Sequence, residues 1–468
     1  MKRTPYFHFS VFTIYILLLS AGLFPQMLTA QGWIQNFGIP GHNWQGEDVE
    51  KLPDGGYIIG GETESFRNVL IARLNQDGDT IWTKSFPGTN PWSDISLQDM
   101  ETDAEGTTHA VLFNFDGWWA SYVRIDLAGN VTAGFLIYPT ETDDYLVSLH
   151  VEDDGIVFCG ATGGMDSTVL LKKSFDVDLI WTRSLPTRGG ALEMQQDADG
   201  NFILLIEDDD YHLKIVKTDP NGHFLWKVSP PGSLFRGSIA VQPDGRIVFA
   251  SDNGIGNTIQ LLHLSPGGEI INVVQDHVFT AKVKPVERII SDAQGNLFLT
   301  GAVCIVPGED DELLLVKYDP DLVRLGYHSY DEGETFWIGK DLEITDDNSL
   351  IVCGTRVLSS AVSGIDTNLI TVFKLSIESV TCIEEAASGE NCRVQPNPFS
   401  DYLLFTLEKA GPGPKTIHLY SQEGKLLRRE VFYELQYRMP VGELPGGILF
   451  YEISENGRLL ASGRLVRK

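Results

Sequence analysis

The chain has 468 residues, of which 43% are hydrophobic and 10% aromatic, with 47 glycines and a formal net charge of −29. That composition supports a packed core rather than disorder, and the length allows two or three domains or one large repeat domain with an appendage. The charge excludes duplex nucleic acid as a partner, because phosphates would be repelled rather than neutralised.

Lys2 and Arg3 precede a mostly apolar run from Phe7 to Phe24, and Thr29-Ala30 before Gln31 has the form of a cleavage site. Residues 1–30 therefore read as a secretory signal peptide. No cysteine stands beside that site, which argues against a lipid anchor, and no later apolar run is long enough to span a bilayer. The mature chain is expected to be secreted or displayed on the outer cell surface, without a transmembrane segment, and monomeric.

From Asp48 to Phe86 three apolar runs are joined through Pro53-Asp54-Gly55-Gly56 and Asn75-Gln76-Asp77-Gly78, and a fourth run begins at Thr80. Strand, turn, strand, longer loop, strand, turn, strand is a four-stranded antiparallel meander. The first turn recurs at Glu105-Gly106, Asp154-Gly155, Asp199-Gly200, Asp244-Gly245, Gln294-Gly295 and Asp347-Asn348, at spacings of 45 to 53 residues. An apolar strand follows each one (YIIGG, THAVLF, IVFCG, NFILLI, RIVFA, LFLTG, LIVCG). Trp82, Trp181 and Trp226 occupy equivalent places in the fourth strand. A four-strand unit repeating at this period predicts an all-β fold, a seven-bladed β-propeller over residues 31–378. The seventh copy ends at Ser376 without a fourth strand, whereas Trp33 to Phe37 matches the spacing of Trp82 to Phe86. The N-terminal strand is therefore expected to complete blade seven.

Five cysteines are few for an exported chain of this length. Cys159, Cys304 and Cys353 lie in or beside apolar runs and read as small buried hydrophobes. Cys382 and Cys392 flank a polar stretch in the linker (residues 379–392) and are candidates for a local disulfide. Composition changes at Arg393. Residues 393–468 carry a net charge of +3 against −32 for the rest, and their short, closely spaced strands predict a small immunoglobulin-like β-sandwich.

This last segment opens with Pro396-Asn397-Pro398-Phe399-Ser400-Asp401. It carries Leu-Tyr-Ser-Gln-Glu-Gly-Lys around Gly424 and Leu-Pro-Gly-Gly-Ile-Leu-Phe-Tyr around Gly446 and Gly447, and it ends Arg-Leu-Val-Arg-Lys. In these features it resembles the type A C-terminal sorting domain of the type IX secretion system of Bacteroidetes. The family usually has Gly-x-Tyr where this chain has Gly447-Ile448-Leu449-Phe450-Tyr451. The resemblance implies export across the inner membrane by the signal peptide and across the outer membrane by this domain, with the type IX machinery as partner. The repeat part resembles, more loosely, the repeat domains that such cargo often carries.

Candidate ligand-binding residues are the aromatics of the blade-to-blade and strand 2–3 loops: Trp44, Trp92, Trp118, Trp119, Tyr330 and Trp337. Trp44 and Trp337 each stand four residues before an aspartate, Asp48 and Asp341. These side chains either cover the blade ends or stack on sugar faces and peptide side chains. The strand 2–3 loops are acidic, as at Glu62, Glu64, Asp116, Asp166 and Glu207 to Asp210. Such carboxylates could take Ca²⁺, but none has the spaced Asp-x-Asp-x-Asp-Gly pattern, and a solvated acidic rim explains them. Asp77-Gly78 and Asp219-Pro220-Asn221-Gly222, each followed by a Trp, sit where sialidase-type propellers carry Asp-box turns; neither has that family's spacing. No nucleophile elbow, zinc motif or P-loop occurs, so no catalytic residue is assigned. Three functions follow: a binding module for glycan or protein, an extracellular polysaccharide hydrolase or lyase using an acidic face, or a structural surface protein.

Overall fold

The computed structural model describes residues 31–467 apart from 40–41, 64–66, 88–93, 116–118, 138–144, 163–165, 177, 209, 233–235, 253–257, 277–281, 305–311, 331–334, 359–366, 378–379, 381–391, 396–401, 408–412, 422–425, 442–443, 445–446 and 456–457. It is all-β. Chain contacts divide it into two compact units, one running to Ser379 and one from Val380 to Lys468, with Gly326–His328 grouped with the second.

The first unit is propeller-like, built from seven four-stranded antiparallel sheets among the described residues. Sheets 1 to 6 are consecutive meanders over residues 45–87, 95–137, 145–184, 190–228, 238–276 and 282–330. Sheet 7 comprises Thr335–Ile344, Ser349–Leu358 and Thr367–Ser376, and its fourth strand is Gln31–Phe37, paired antiparallel to Thr367–Ser376. Each sheet packs against the next, and the first strand of sheet 1 packs against sheet 7.

The second strand of each unit carries an apolar run because both of its faces are covered. In sheet 1, Tyr57 and Ile59 join Ile351, Cys353, Ile370 and Val372 of sheet 7 in one core. Ile58, between them, joins Leu97, Ala110 and Leu112 of sheet 2. The turn sequences have a backbone reason. Asn348 adopts φ 58° where Gly295, its counterpart in sheet 6, adopts φ 84°. This left-handed region is open to Gly and tolerated by Asn.

The repeated tryptophans tie neighbouring sheets together. Trp82 of sheet 1 lies against Gly129 in the strand 3–4 turn of sheet 2, and its indole Nε1 donates to Leu127 O at 3.0 Å. Trp226 of sheet 4 treats Gly268 and Pro266 O of sheet 5 in the same way, at 3.2 Å. Trp33 of sheet 7 lies against Gly78 and donates to Gln76 O of sheet 1 at 3.1 Å. The turn glycine is required twice over. Its φ is +80° at Gly129, and a Cβ there would fall 2.9 Å from the Trp82 ring. Gly129→Ala is expected to cost about 1–3 kcal/mol, read as a lowered denaturation midpoint; an unchanged midpoint would contradict this packing.

The second unit has a three-stranded sheet (Cys392–Gln395, Tyr402–Leu407, Gln436–Pro440) and a four-stranded sheet (Leu426–Phe432, Lys415–Ser421, Gly447–Glu455, Arg458–Arg467). Both feed one core that includes Leu403, Phe405, Leu419, Tyr451, Ile453 and Leu465. Alternation of apolar and polar positions, as in Tyr402–Leu407, turns one face of each sheet inward.

Candidate functional site

The first strands of the seven sheets are Gln45–Lys51, Ile95–Thr102, Tyr145–Glu152, Gly190–Gln196, Ser238–Val241, Lys282–Ser291 and Thr335–Ile344. Six of them carry a β-bulge at the same register, which falls on Glu47, Gln98, Val147, Leu192, Glu287 and Lys340. A bulge leaves one residue out of the ladder and re-aims its neighbours. The next residue along is Asp48, Asp99, Ser148, Glu193, Arg288 and Asp341, with Ser238 in the unbulged sheet 5.

This second tier holds the sheets to one another. Asp341 Oδ2 accepts the N–H of Val49 in sheet 1 (3.0 Å), and Asp48 Oδ2 accepts that of Met100 in sheet 2 (2.6 Å). Asp99 Oδ2 accepts the Leu149 N–H (2.8 Å) and the Ser148 hydroxyl (2.6 Å) of sheet 3. Glu193 Oε2 accepts from Ile239 N–H (3.1 Å), and Ser238 Oγ from Ile289 N–H (3.1 Å). Arg288 has no acceptor to offer; its guanidinium lies 2.7 Å from Glu193 Oε1 and 3.1 Å from Asp341 Oδ1. Burial, then the charges of Asp341 and Asp99, pushes the Asp48 carboxyl well above the usual range. Burial pushes Asp99 to about 7 against the hydrogen bonds from Ser148 and Leu149.

Two residues further along the strands come Glu50, Glu101, His150, Gln195 and Glu343. His150 Nδ1 lies 3.2 Å from Glu101 Oε2, and its Nε2 lies 3.1 Å from Gln196 Oε1. Burial and the charge of Asp341 raise Glu343 to about 7, and burial with the charge of Glu343 raises Glu50 well above its ordinary value.

The bulge tier is two-sided. Lys340 Nζ lies 3.4 Å from Glu287 Oε2 and 3.9 Å from Glu47 Oε2, and Arg236, two residues before sheet 5, lies 3.4 Å from Glu287 Oε1. Behind this alternating arc Glu62 is 4% exposed, with Oε2 free of any hydrogen bond, and burial followed by the charge of Glu47 raises it to about 9. In sheet 4 the bulge residue is Leu192, a leucine left 39% exposed.

The predicted aromatics meet different fates. Trp337 is corrected. The first strand of sheet 7 begins at Thr335, so this Trp belongs to a strand and not a loop. It is 2% exposed, with Phe373 edge-on at 6.2 Å and the Arg356 guanidinium 4.9 Å over its ring. No face remains for stacking. Trp44 is half-buried against the core shared by sheets 1 and 7, and Trp119 is half-buried at the start of Trp119–Ile125; both indole Nε1 atoms are buried without a hydrogen bond. Trp92 and Trp118 lie outside the described residues, as does the side chain of Tyr330, the last residue of its strand.

The acidic loops are engaged locally. Asp208 accepts the N–H groups of Asp210 and His212 and pairs with Lys214 at 2.8 Å, and Asp166 pairs with Arg188 at 3.0 Å. Asp208, Asp210 and His212 come close enough to share a metal ion, but this is the geometry of an Asx turn with a counter-ion. Cys159 and Cys353 are buried free thiols. Cys382 lies outside the described residues, and Cys392 begins a strand with its side chain outside them. Of the sorting-motif residues, Pro396, Asn397, Pro398, Phe399, Gly424 and Gly446 also lie outside, while Gly447 begins a strand opposite Arg467. Among the described residues no helix is long and apolar enough to cross a membrane.

These tiers were not among the sequence candidates. The signal that marks them is a polar pair at one register of the first strands: Glu47-Asp48, Gln98-Asp99, Glu287-Arg288 and Lys340-Asp341.

No family model and no curated protein matches the chain. Among solved structures it is similar to a protein of unknown function from Bacteroides caccae. The match has 12% identity and a TM-score of 0.35, and covers 64% of this chain and 92% of that one. At that level of similarity it assigns no activity.

Proposed function

We propose that this chain is a secreted or surface-displayed binding module. In this reading the seven sheets are the blades of a closed seven-bladed β-propeller, and the bulge tier is the ligand-facing mouth. The observation that carries the reading is the two-sidedness of that mouth. Glu47, Lys340, Glu287 and Arg236 alternate in charge along one arc, while Leu192 stays exposed at the same register. Such a surface suits a glycan or a protein segment with one polar and one apolar side. The carboxylates beneath it do not favour the hydrolase reading. Asp48, Asp99, Glu193 and Asp341 each already accept a backbone N–H from a neighbouring sheet, which is a structural task.

The test is a glycan and protein-partner screen of the purified protein, with and without Ca²⁺, repeated with Leu192→Asp and Lys340→Gln. Binding that falls at least about tenfold in both variants, at unchanged melting temperature, is the expected result. A ligand indifferent to both substitutions would move the site elsewhere, and turnover of a polysaccharide would favour the enzyme. The sorting reading rests on the C-terminal resemblance. A reporter fused to a signal peptide and residues 393–468 should reach the medium or surface of a type IX-competent host. Retention in the periplasm would refute it.

A further inference from the structure

We propose that a cavity of about 210 Å³ at the C-terminal ends of the first strands of sheets 4 to 7 is a second binding site, and that it takes a primary alkylammonium group, the head shared by a lysine side chain and a free diamine. The space exists because of sheet 5. Its first strand, Ser238–Val241, is short and has no bulge, and two residues beyond Ser238 it offers Ala240 where other sheets place Glu50, Glu101, His150, Gln195 and Glu343. A methyl group leaves empty what a longer side chain would fill. Every other residue of the lining is half-buried, so the cavity is reached from solvent.

Its walls are of two kinds. Ala240, Val241, Ile290 and Ile344 are aliphatic, whereas Gln195, Ser291 and Glu343 bring oxygen acceptors from three sheets. Gln195 spends its amide N–H on Glu193 Oε1 at 3.2 Å, and the Ser291 hydroxyl donates to Asp292 O at 3.3 Å, so the oxygen lone pairs of both remain for a ligand. Among the described residues Glu343 has no ion-pair partner and no side-chain hydrogen bond. Charge then selects the ligand. Arg288 also lines the cavity, but its one guanidinium already lies against two carboxylates, Glu193 at 2.7 Å and Asp341 at 3.1 Å. Lys51 is paired with Asp346 at 2.9 Å and Lys340 with Glu287 at 3.4 Å. A carboxylate without a counter-charge in a partly desolvated cavity attracts a cation and repels an anion.

A metal ion would use only part of this lining. Among the described residues, the His, Cys, Asp and Glu side chains close enough in threes to share an ion are Asp208, Asp210 and His212, none of which lines this cavity. The volume corresponds to about seven water molecules at about 30 Å³ each. It falls below the roughly 300–1,000 Å³ of sites for drug-sized ligands, which suits a small amine. An ammonium has three N–H donors, one for each acceptor, and a short methylene stem can cover the aliphatic wall.

The test is calorimetric titration of the purified protein at pH 8, above the value of about 7 to which burial and the charge of Asp341 raise Glu343. The separate probes are 1,4-diaminobutane, a lysine blocked at both ends, butyrate and Ca²⁺. At least one amine should bind with a Kd below about 1 mM, and butyrate at least about tenfold more weakly. The tighter amine identifies the source. Glu343→Gln keeps the shape and removes the charge, and Ala240→Leu fills the space; each should weaken the amine at least about tenfold. Should Ala240→Leu fail to fold, Glu343→Gln decides. Binding of neither amine, butyrate binding as tightly, Ca²⁺ binding alone, or an amine affinity unchanged in Glu343→Gln overturns the site.

Discussion

Arg288→Met should lower the stability of the first unit by about 3–5 kcal/mol, the usual cost of removing one partner from a buried charge cluster. Its guanidinium stands between Glu193 and Asp341, residues of two sheets that are not neighbours, at 2.7 and 3.1 Å. Methionine fills much the same volume, so loss of packing is a minor part of the effect. What remains is two carboxylates whose second oxygens hold backbone N–H groups of neighbouring sheets and which lack a counter-charge. Denaturant unfolding measures the loss. Adding Glu193→Gln to the variant should recover part of it, because one of the uncompensated charges is then gone. A variant as stable as the parent would mean that water neutralises this tier, and the network would lose its structural role.

A chain beginning at residue 42 should melt about 5–10 °C lower than one beginning at residue 31. It would lack the strand Gln31–Phe37, and with it the ladder to Thr367–Ser376 and the Trp33 contact on Gly78 and Gln76 O of sheet 1. The Thr367–Ser376 strand would become an open sheet edge, which also favours self-association. A peptide of residues 31–41 added in trans should restore part of the loss by pairing with that edge. An unchanged melting temperature would show that the seam between sheets 1 and 7 holds without the strand.

Much of this architecture can be read in the chain because the physics behind it is local. The second strand of each sheet is covered on both faces, so YIIGG, IVFCG and LIVCG are continuous apolar runs. The turns need left-handed backbone, so Gly or Asn recurs at one offset. The spacing of Trp33 and Phe37 matches that of Trp82 and Phe86 because all four serve fourth strands, and Trp33 meets a turn glycine of the next sheet just as Trp82 does.

The first strands are harder to read because a bulge interrupts their alternation. Asp48, Asp99 and Asp341 look like polar residues at strand starts until the neighbouring sheet supplies the N–H that each accepts. Trp337 shows the same limit in reverse. Its place beside a charged loop suggests exposure, whereas Arg356 and Phe373, from the second and third strands of its own sheet, enclose it.

The sequence by itself determined the all-β class, the four-strand repeat and its turns, since these depend on residues a few positions apart. Only the tertiary structure decided which polar side chains meet along the first strands of the sheets. Those depend on groups separated by one or more whole repeats, and on a burial that no single repeat can provide.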